Sequence, residues 1–254
     1  MAQIISIVNQ KGGVGKTTTA VNLGAYLANF GKFVLLVDMD PQANATSGLG
    51  IDHRVLGKGV YESIAGLSSF GDIVVNTPVR GYKVAPATVS LAGANIELVN
   101  AERREYRLHD ALLEVRNDYD YIIIDCPPSL GLLTLNSLVA ADSVFIPVQA
   151  EYYALEGLSQ LLETIGLVKE SLKPELEILG ALITMYDSRV GLSEAVLKEL
   201  YQYFPNKIFR SVIPRNIRLA EAPSHGLSIL HYDARSKGAR AYERLARELL
   251  ESKI

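Results

Sequence analysis

The sequence has a single cysteine, Cys126, no long apolar run, and no basic leader followed by a cleavable apolar stretch. One cysteine excludes an internal disulfide and a cysteine-rich zinc or iron–sulfur cage within the chain. A helix that spans a bilayer needs about 20 apolar residues, and no run approaches that length. We therefore expect a protein of the reducing cytoplasm that has no membrane partner.

Signs of disorder and of internal repeats are also missing from the composition. Of 254 residues, 48% are hydrophobic and 21% are charged, and the 20 glycines and 10 prolines follow no repeat. These values are typical of globular proteins, and a chain of this length can bury most of its apolar surface around one core. We expect one domain over residues 1–254.

The net charge of −3 hides an uneven distribution of charge along the chain. Residues 207–254 carry ten Lys and Arg against five Asp and Glu, whereas the rest of the chain is acidic. A basic segment on an acidic body indicates a local surface for a polyanion, but a solvated face of ordinary helices has the same composition. Charge alone favours the solvated face.

Short apolar runs rich in Ile and Val predict buried strands, because strands covered on both faces of a parallel sheet do not alternate with polar residues. These runs are Ile4–Val8, Val34–Val37, Tyr121–Ile124, Val144–Val148 and Leu179–Ile183. Helical spacing predicts helices over Thr17–Phe30, Glu102–Val115, Leu155–Lys169, Ser193–Tyr203 and Arg235–Glu251. The alternation predicts a doubly wound α/β fold, with a mostly parallel sheet and helices on both faces. Residues 45–100 show weak periodicity and are expected to form surface helices and loops.

A glycine-rich segment, Lys11-Gly-Gly-Val-Gly-Lys-Thr-Thr18, follows the first strand and opens the first helix. Glycines let successive backbone N–H groups turn towards phosphate oxygens, and the helix N-terminus adds about half a positive charge. Lys16 is expected to contact the β- and γ-phosphates, and the Thr17 hydroxyl to bind Mg²⁺. One departure is Gln10, which stands where the usual phosphate-loop pattern begins with glycine. The expected nucleotide ligands are Lys11, Gly12, Gly13, Val14, Gly15, Lys16, Thr17 and Thr18.

Acidic side chains follow two of the predicted strands, at the sheet edge where ligands of open α/β folds bind. Asp125 ends the third strand and can reach the Mg²⁺ shell beside Thr17, or else cap a helix. Asp40 can orient or deprotonate a water in line with the γ-phosphate, or form the turn before Pro41. The residues alone leave these two roles of Asp40 open, and Asp38 is a weaker alternative for the water or for the Mg²⁺ shell.

Several motifs resemble those of a known superfamily. The segment Lys11–Thr17 resembles the deviant Walker A motif of the ParA/MinD superfamily, Asp38–Gln42 its second motif and Ile124–Pro128 its Walker B region. Further segments resemble chromosomal ParA proteins of the Soj type, namely Asn44–Leu49, Pro147–Gly157, Val212–Asn216 and Glu221–Gly226. The resemblance runs from Ile4 to about Leu250 and is poorest over about residues 52–82.

The resemblance implies an ATPase that uses ATP and Mg²⁺ and forms a sandwich homodimer when ATP is bound. In the family, the residue that matches Lys11 reaches across the dimer to the partner's phosphates, and Gly12 is expected where the two loops meet. A cation there neutralises charge that spreads over the γ-phosphate in the transition state. The catalytic residues are then Lys11, Lys16 and Asp40, with Asp40 matching the hydrolytic aspartate, and Thr17 and Asp125 are the metal residues.

Two further sites follow from the same resemblance. Pro214 and Asn216 match the segment that contacts adenine, whereas Met185 can pack nearby or belong to the core. Proteins of the Soj type bind double-stranded DNA without sequence preference, and their DNA-contacting arginines map onto Arg189 and Arg218. The basic residues that can add contacts, or be merely solvated, are Lys207, Arg210, Arg215, Arg235, Lys237 and Arg240.

The implied function is ATP-dependent partitioning of chromosome origins on the nucleoid, stimulated by a ParB-type centromere-binding protein. The main alternative is a membrane-surface ATPase of the MinD type, which needs a C-terminal helix with basic and bulky apolar faces. Residues 239–254 mix Arg with Glu and contain no Phe or Trp, so we expect that helix to pack on the core. A single cysteine opposes a nitrogenase iron protein, dispersed tyrosines oppose a tyrosine-kinase relative, and no feature indicates the second substrate of a ligase.

Overall fold

An eight-stranded sheet runs through the middle of the computed structural model, which describes residues 1–149, 156–187, 189, 198 and 200–251. Its strands are β1 (Gln3–Ile7), β2 (Val34–Asp38), β3 (Val75–Asn76), β4 (Tyr82–Ala85), β5 (Tyr121–Asp125), β6 (Ser143–Gln149), β7 (Glu177–Tyr186) and β8 (Ile208–Pro214). The spatial order is β3-β4-β2-β5-β1-β6-β7-β8. All neighbours are parallel except β3, which is antiparallel to β4.

Helices connect the strands. The α-helices in the described residues are α1 (Lys16–Asn29), α2 (Asn44–Gly48), α3 (Val60–Ile64), α4 (Phe70–Ile73), α5 (Ala94–Glu97), α6 (Arg107–Leu112), α7 (Leu132–Ala140), α8 (Glu156–Ser171), α9 (Ile217–Glu221), α10 (Ile229–Tyr232) and α11 (Lys237–Glu251). Short 3₁₀ turns occupy Val89–Gly93, Arg104–Tyr106, Arg116–Asp118 and Ala222–His225. Gly31 follows α1 with φ 84°, the left-handed conformation that commonly ends a helix.

Two hydrophobic cores lie on the two faces of the sheet, because successive strand residues point to opposite sides. On β1, Ile4 belongs to one core and Ile5 to the other. The first core contains apolar residues of α6, α7 and α8, and the second contains those of α1 and α11. The predicted doubly wound α/β architecture is confirmed.

The carboxyl ends of the central strands meet at one edge of the sheet. β5 lies between β1 and β2, and its last residue, Asp125, is in register with Ile7 on one side and with Asp38 on the other. The chain that leaves β1 at this edge enters the glycine-rich loop and then α1. This topology brings together residues that lie more than 100 positions apart in the sequence.

The sequence predictions hold for the five central strands but miss several elements. Residues 45–100 contain β3 and β4 as well as surface helices, and β4 lies inside the sheet beside β2. A four-residue strand is too short to show a diagnostic pattern. β8, an edge strand whose residues alternate in burial, was not predicted. Helix α7 was not predicted either. The helix predicted over Glu102–Val115 is a 3₁₀ turn followed by the six residues of α6.

The C-terminal helix α11 packs on the body of the protein, as expected. Its apolar face is buried against α1 and β8, and includes Tyr242, Leu245 and Leu249. Of the helix predicted over Ser193–Tyr203, residues 198 and 200–203 are helical, and residues 193–197 and 199 lie outside the described residues. A search of the described helices finds none with the length and apolarity that crossing a bilayer requires.

Candidate nucleotide site

The glycine-rich loop turns sharply between β1 and α1. Gly13 and Gly15 have φ of 77° and 87°, in the left-handed region that side-chain-bearing residues rarely adopt. Gly15 directly precedes α1, and its carbonyl accepts the Thr19 N–H at 2.9 Å. The first N–H groups of α1 are therefore directed into the loop, which is the arrangement that binds phosphate.

Two polar side chains that the sequence analysis missed fasten this loop to neighbouring strands. Asn9 is buried; its amide donates to the Pro147 carbonyl at 2.7 Å, and its Oδ1 accepts the Lys11 N–H at 2.9 Å. Thr184, on β7, donates its hydroxyl proton to the Val14 carbonyl at 2.8 Å. Asn9 could have been found as a polar residue at a buried strand end, whereas Thr184 carries no sequence signal. The loop is thus preorganised by β6 and β7.

Lys16 and Lys11 occupy different environments in the same loop. Lys16 is buried, and its Nζ donates to the Lys11 carbonyl at 3.2 Å. Burial lowers the pKa of Lys16, and the charges of Asp125 and Asp40 act in the opposite direction. The Lys11 side chain is half-buried, and within the described part of the chain it forms no ion pair.

Asp125 and Asp38 are fully buried neighbours on adjacent strands. Asp38 accepts hydrogen bonds from the Thr46 N–H at 2.8 Å, the Thr46 hydroxyl at 2.7 Å and the Asp40 N–H at 3.2 Å. Burial raises the pKa of Asp38 to about 6, against these hydrogen bonds. These hydrogen bonds fasten α2 to the sheet, and the alternative role of Asp38 with water or metal stays a prediction.

The Asp125 carboxylate fits a divalent cation. Both of its oxygens are buried and make no hydrogen bond within the described residues. Burial and the charge of Asp38 raise its pKa, while the Thr17 hydroxyl and Lys16 lower it. A buried carboxylate without partners is costly, and a hard cation next to a hydroxyl would satisfy it. Within the described part of the chain, no group of three or more His, Cys, Asp or Glu is placed to hold a metal ion. Mg²⁺ commonly binds through one or two carboxylates together with substrate phosphates and water.

Asp40 follows the end of β2 and is buried. Its Oδ1 accepts the Gln42 N–H at 2.9 Å, so the turn-forming role that the sequence left open is present. The side chain is 8% exposed, and its charge raises the pKa of buried Lys16. The structure therefore places Asp40 close to the phosphate loop, and its role with water stays a prediction.

Two clefts adjoin the loop. One, of about 530 Å³, is lined by the loop, the start of α1, α2 and residues 222–227. The other, of about 390 Å³, is lined mainly by apolar groups and includes Pro214, Asn216 and Tyr242. Gly15, Thr18 and Met185 line both clefts. A cleft at a helix N-terminus that continues into a mainly apolar slot matches the phosphates and base of a nucleotide. A larger cleft of about 670 Å³, between α3 and α6, contains none of the predicted site residues.

Comparison with known proteins shows which family the chain is similar to. A family model described as an AAA domain matches residues 2–178. The sporulation initiation inhibitor protein Soj of Bacillus subtilis (strain 168) is 58% identical over 249 residues, which cover 98% of each chain. The chromosome-partitioning ATPase Soj of Treponema pallidum (strain Nichols) is 52% identical over 250 residues, again 98% of each chain.

The chain belongs to the Soj/ParA family of P-loop ATPases.

A solved structure with the same fold is that of cobyrinic acid a,c-diamide synthase from Mycobacterium smegmatis with bound ADP and magnesium. It superposes with a TM-score of 0.88 and 41% identity, covering 98% of this chain and 94% of that chain. As a Soj/ParA protein, this chain is an ATPase, and ATP with Mg²⁺ are the cofactors that its loop and its orphaned Asp125 fit.

The residues that the sequence assigned to adenine lie beside the loop of this Soj/ParA protein. Asn216 caps α9 by accepting the Arg218 N–H at 2.8 Å, and Pro214 ends β8. Met185 has φ 53°, is half-buried and lines both clefts, and its position near the base stays a prediction.

The two predicted DNA-contacting arginines follow the ends of the adjacent strands β7 and β8. The Arg189 side chain is 86% exposed and pairs with Asp187, with Nη2 at 2.6 Å from Oδ2. The Arg218 side chain is 51% exposed and pairs with Glu221. Both arginines of the Soj/ParA chain therefore lie on its surface and already have partners.

Proposed function

We propose that this chain is a chromosome-partitioning ATPase that binds double-stranded DNA non-specifically as an ATP-bound homodimer. The similarity to relatives described as chromosome-partitioning proteins motivates the partitioning role. The observation that supports the dimer is the pair of lysines in one loop. Lys16 is buried and its Nζ donates within its own loop, whereas Lys11 is half-buried and forms no ion pair within the described residues.

The loop surface suits close approach of a second copy. Gly12 is exposed, and a Cβ built on it meets no atom of the described residues within 4 Å. The absence of a side chain at this position is therefore not required by packing inside the chain. In the proposed dimer, Gly12 lies where the two loops meet, and each Lys11 reaches the phosphates bound by the partner.

Hydrolysis then depends on charge neutralisation and on one positioned water. Lys16 of the same chain and Lys11 of the partner subunit stabilise the charge that develops on the γ-phosphate. Asp40 orients the attacking water. Thr17 and Asp125 would hold Mg²⁺, which supplies further neutralisation of the phosphate charge. Val14 and Gly13 present backbone N–H groups to the phosphates.

The arginines Arg189 and Arg218 provide contacts to DNA phosphates. Such contacts give affinity without sequence preference, and the affinity falls steeply with salt. Because dimerisation doubles the number of contacts, the nucleotide state controls DNA binding. The cycle places the protein on the nucleoid in the cytoplasm, where a ParB-type centromere-binding protein accelerates hydrolysis and chromosome origins are moved.

The burial of α11 disfavours a membrane-surface ATPase of the MinD type. Its apolar residues pack against α1 and β8 and are not available to a bilayer. Co-sedimentation with anionic liposomes in the presence of ATP tests this alternative. We expect the chain to stay in the supernatant, and sedimentation with the liposomes would support the MinD-type function.

A ligase function is the other alternative, because the Mycobacterium smegmatis structure is described as a diamide synthase. A ligase consumes ATP only when a carboxylate substrate accepts the activated group. We expect cobyrinic acid to leave the rate of ATP hydrolysis unchanged, and substrate-dependent turnover would favour the ligase.

A DNA-binding assay with ATP, with ADP and without nucleotide, each at two salt concentrations, tests the proposal directly. We expect binding to random-sequence duplex only with ATP, and weaker binding at the higher salt. Arg189→Glu and Arg218→Glu should each lose DNA binding while retaining ATPase activity. Equal binding in all nucleotide states, or wild-type gel shifts for both variants, would contradict the proposal.

A further inference from the structure

Arg218 lies in a cluster of polar side chains at the end of β8, which we call the Arg218 cluster: Arg218, Glu221, Tyr232 and Asp233. Arg218 Nη1 donates to Glu221 Oε2 at 2.9 Å, and its Nε lies 3.6 Å from Asp233 Oδ2. The Tyr232 hydroxyl donates to the same Glu221 oxygen at 3.1 Å. Two carboxylates of its own chain thus hold the guanidinium.

Arg189, the other predicted DNA contact, has the same kind of partner. Its Nε donates to Asp187 Oδ1 at 2.9 Å and its Nη2 to Oδ2 at 2.6 Å, a bidentate pair. Carboxylates and phosphate diesters each have two oxygens that can accept a bidentate pair of hydrogen bonds from a planar guanidinium. A phosphate that binds either arginine must therefore share or displace a carboxylate.

We propose that Glu221, assisted by Asp233, competes with DNA phosphate for Arg218 and so sets how tightly the chain binds DNA. The inference rests on the proposed function, because it assumes that Arg218 contacts DNA. Loss of the Glu221 carboxylate should then free Arg218 and tighten binding, whereas loss of an ordinary surface carboxylate should not.

The chain offers a matched control for Glu221. Glu243, on α11, pairs with Arg247 at 2.7 Å, and the side chains of this pair are 41% and 58% exposed. The corresponding exposures of Glu221 and Arg218 are 36% and 51%. Glu221→Gln and Glu243→Gln each remove one negative charge from an exposed ion pair without changing the size of the side chain.

The experiment measures the dissociation constant of a fluorescent random-sequence duplex by anisotropy, with ATP, at two salt concentrations. We expect Glu221→Gln to tighten binding about two- to fivefold per protomer, the range set by exposed ion pairs, and Glu243→Gln to change it less than twofold. Asp233→Asn, a second variant of the cluster, should tighten binding by a smaller factor. Equal effects of Glu221→Gln and Glu243→Gln would overturn the competition.

A double-mutant cycle separates competition from a general charge effect. Glu221→Gln should tighten binding in the wild-type background and have no effect in the Arg218→Ala background. The same tightening in both backgrounds would refute the inference while leaving DNA binding intact. If the wild-type chain binds no duplex in any nucleotide state, the proposed DNA-binding function itself fails, so the two failures are distinguishable.

Discussion

At the scale of single residues, most buried polar side chains of the site make hydrogen bonds that hold the backbone, and one carboxylate makes none. Asn9 and Thr184 hold the backbone of the loop, and Asp38 holds α2. Asp125 alone in this group is buried without a hydrogen-bond partner among the described residues. The pairing rigidifies the loop, and the unpaired carboxylate marks where a cation fits.

Lys16→Ala tests the phosphate loop. Hydrogen bonds to charged groups contribute about 1.5–3 kcal/mol, so we expect ATP affinity to fall roughly 10- to 100-fold and ATP-dependent dimerisation to disappear. Isothermal titration calorimetry and light scattering measure the two effects. Lys83→Ala, which removes an exposed lysine of β4, is the control and should behave as wild type. Unchanged ATP affinity in Lys16→Ala would contradict the loop assignment.

The reactivity of the Cys126 thiol tests whether this side chain is buried in the folded protein. Burial raises the pKa of its thiol to about 11, with a hydrogen bond between the sulfur and the Ser6 hydroxyl at 3.1 Å. At pH 8 the folded chain should therefore hold about 100-fold less thiolate than the unfolded chain, and iodoacetamide should react only after unfolding. Above about pH 8.5 the unfolded chain loses a proton that the folded chain keeps, so this thiol lowers the free energy of unfolding as pH rises. Labelling of the native protein at the rate of the unfolded chain would show that the thiol is accessible.

At the scale of helices and strands, the sequence predicts those elements in which a burial pattern repeats over many residues. The five central strands and the long helices α1, α8 and α11 were found because uniform burial or helical spacing extends over many residues. Residues 82–85 form a strand because Tyr82 and Val84 fill the core under α1, which is a tertiary contact that no local pattern contains. Thr184 and Met185 lie at the site because β7 lies between β6 and β8 in the sheet. The spacing of residues in the sequence does not predict this strand order.

Gly24 of α1 tests the contact between this helix and β4. A Cβ at Gly24 would lie 2.5 Å from Tyr82 Cζ, so Gly24→Ala should lower the free energy of unfolding by about 1–3 kcal/mol through overpacking. Gly166 of α8 has nothing within 4 Å of a built Cβ, so Gly166→Ala should raise it by about 0.5–1 kcal/mol. Urea unfolding followed by circular dichroism measures both, and a stabilising Gly24→Ala would contradict the packing.

At the scale of the whole molecule, the first strand and the last described helix pack into the same folded unit. β1 lies between β5 and β6, and α11 packs on α1. We propose that residues 1–254 form one domain, and we expect one thermal unfolding transition with equal calorimetric and van't Hoff enthalpies in the absence of nucleotide. Two resolved transitions would indicate separate domains.

The central claim is that two copies close on ATP through their glycine-rich loops. It is tested most directly by sedimentation velocity of Gly12→Val beside the wild-type chain, with and without ATP. Because a Cβ at Gly12 meets no atom of the described residues within 4 Å, and a glycine can bind phosphate only through its backbone, the variant should fold and bind ATP as wild type does. The account predicts that the wild type shifts from monomer to dimer on addition of ATP and that Gly12→Val stays monomeric. An ATP-dependent dimer of Gly12→Val as stable as that of the wild type would contradict it.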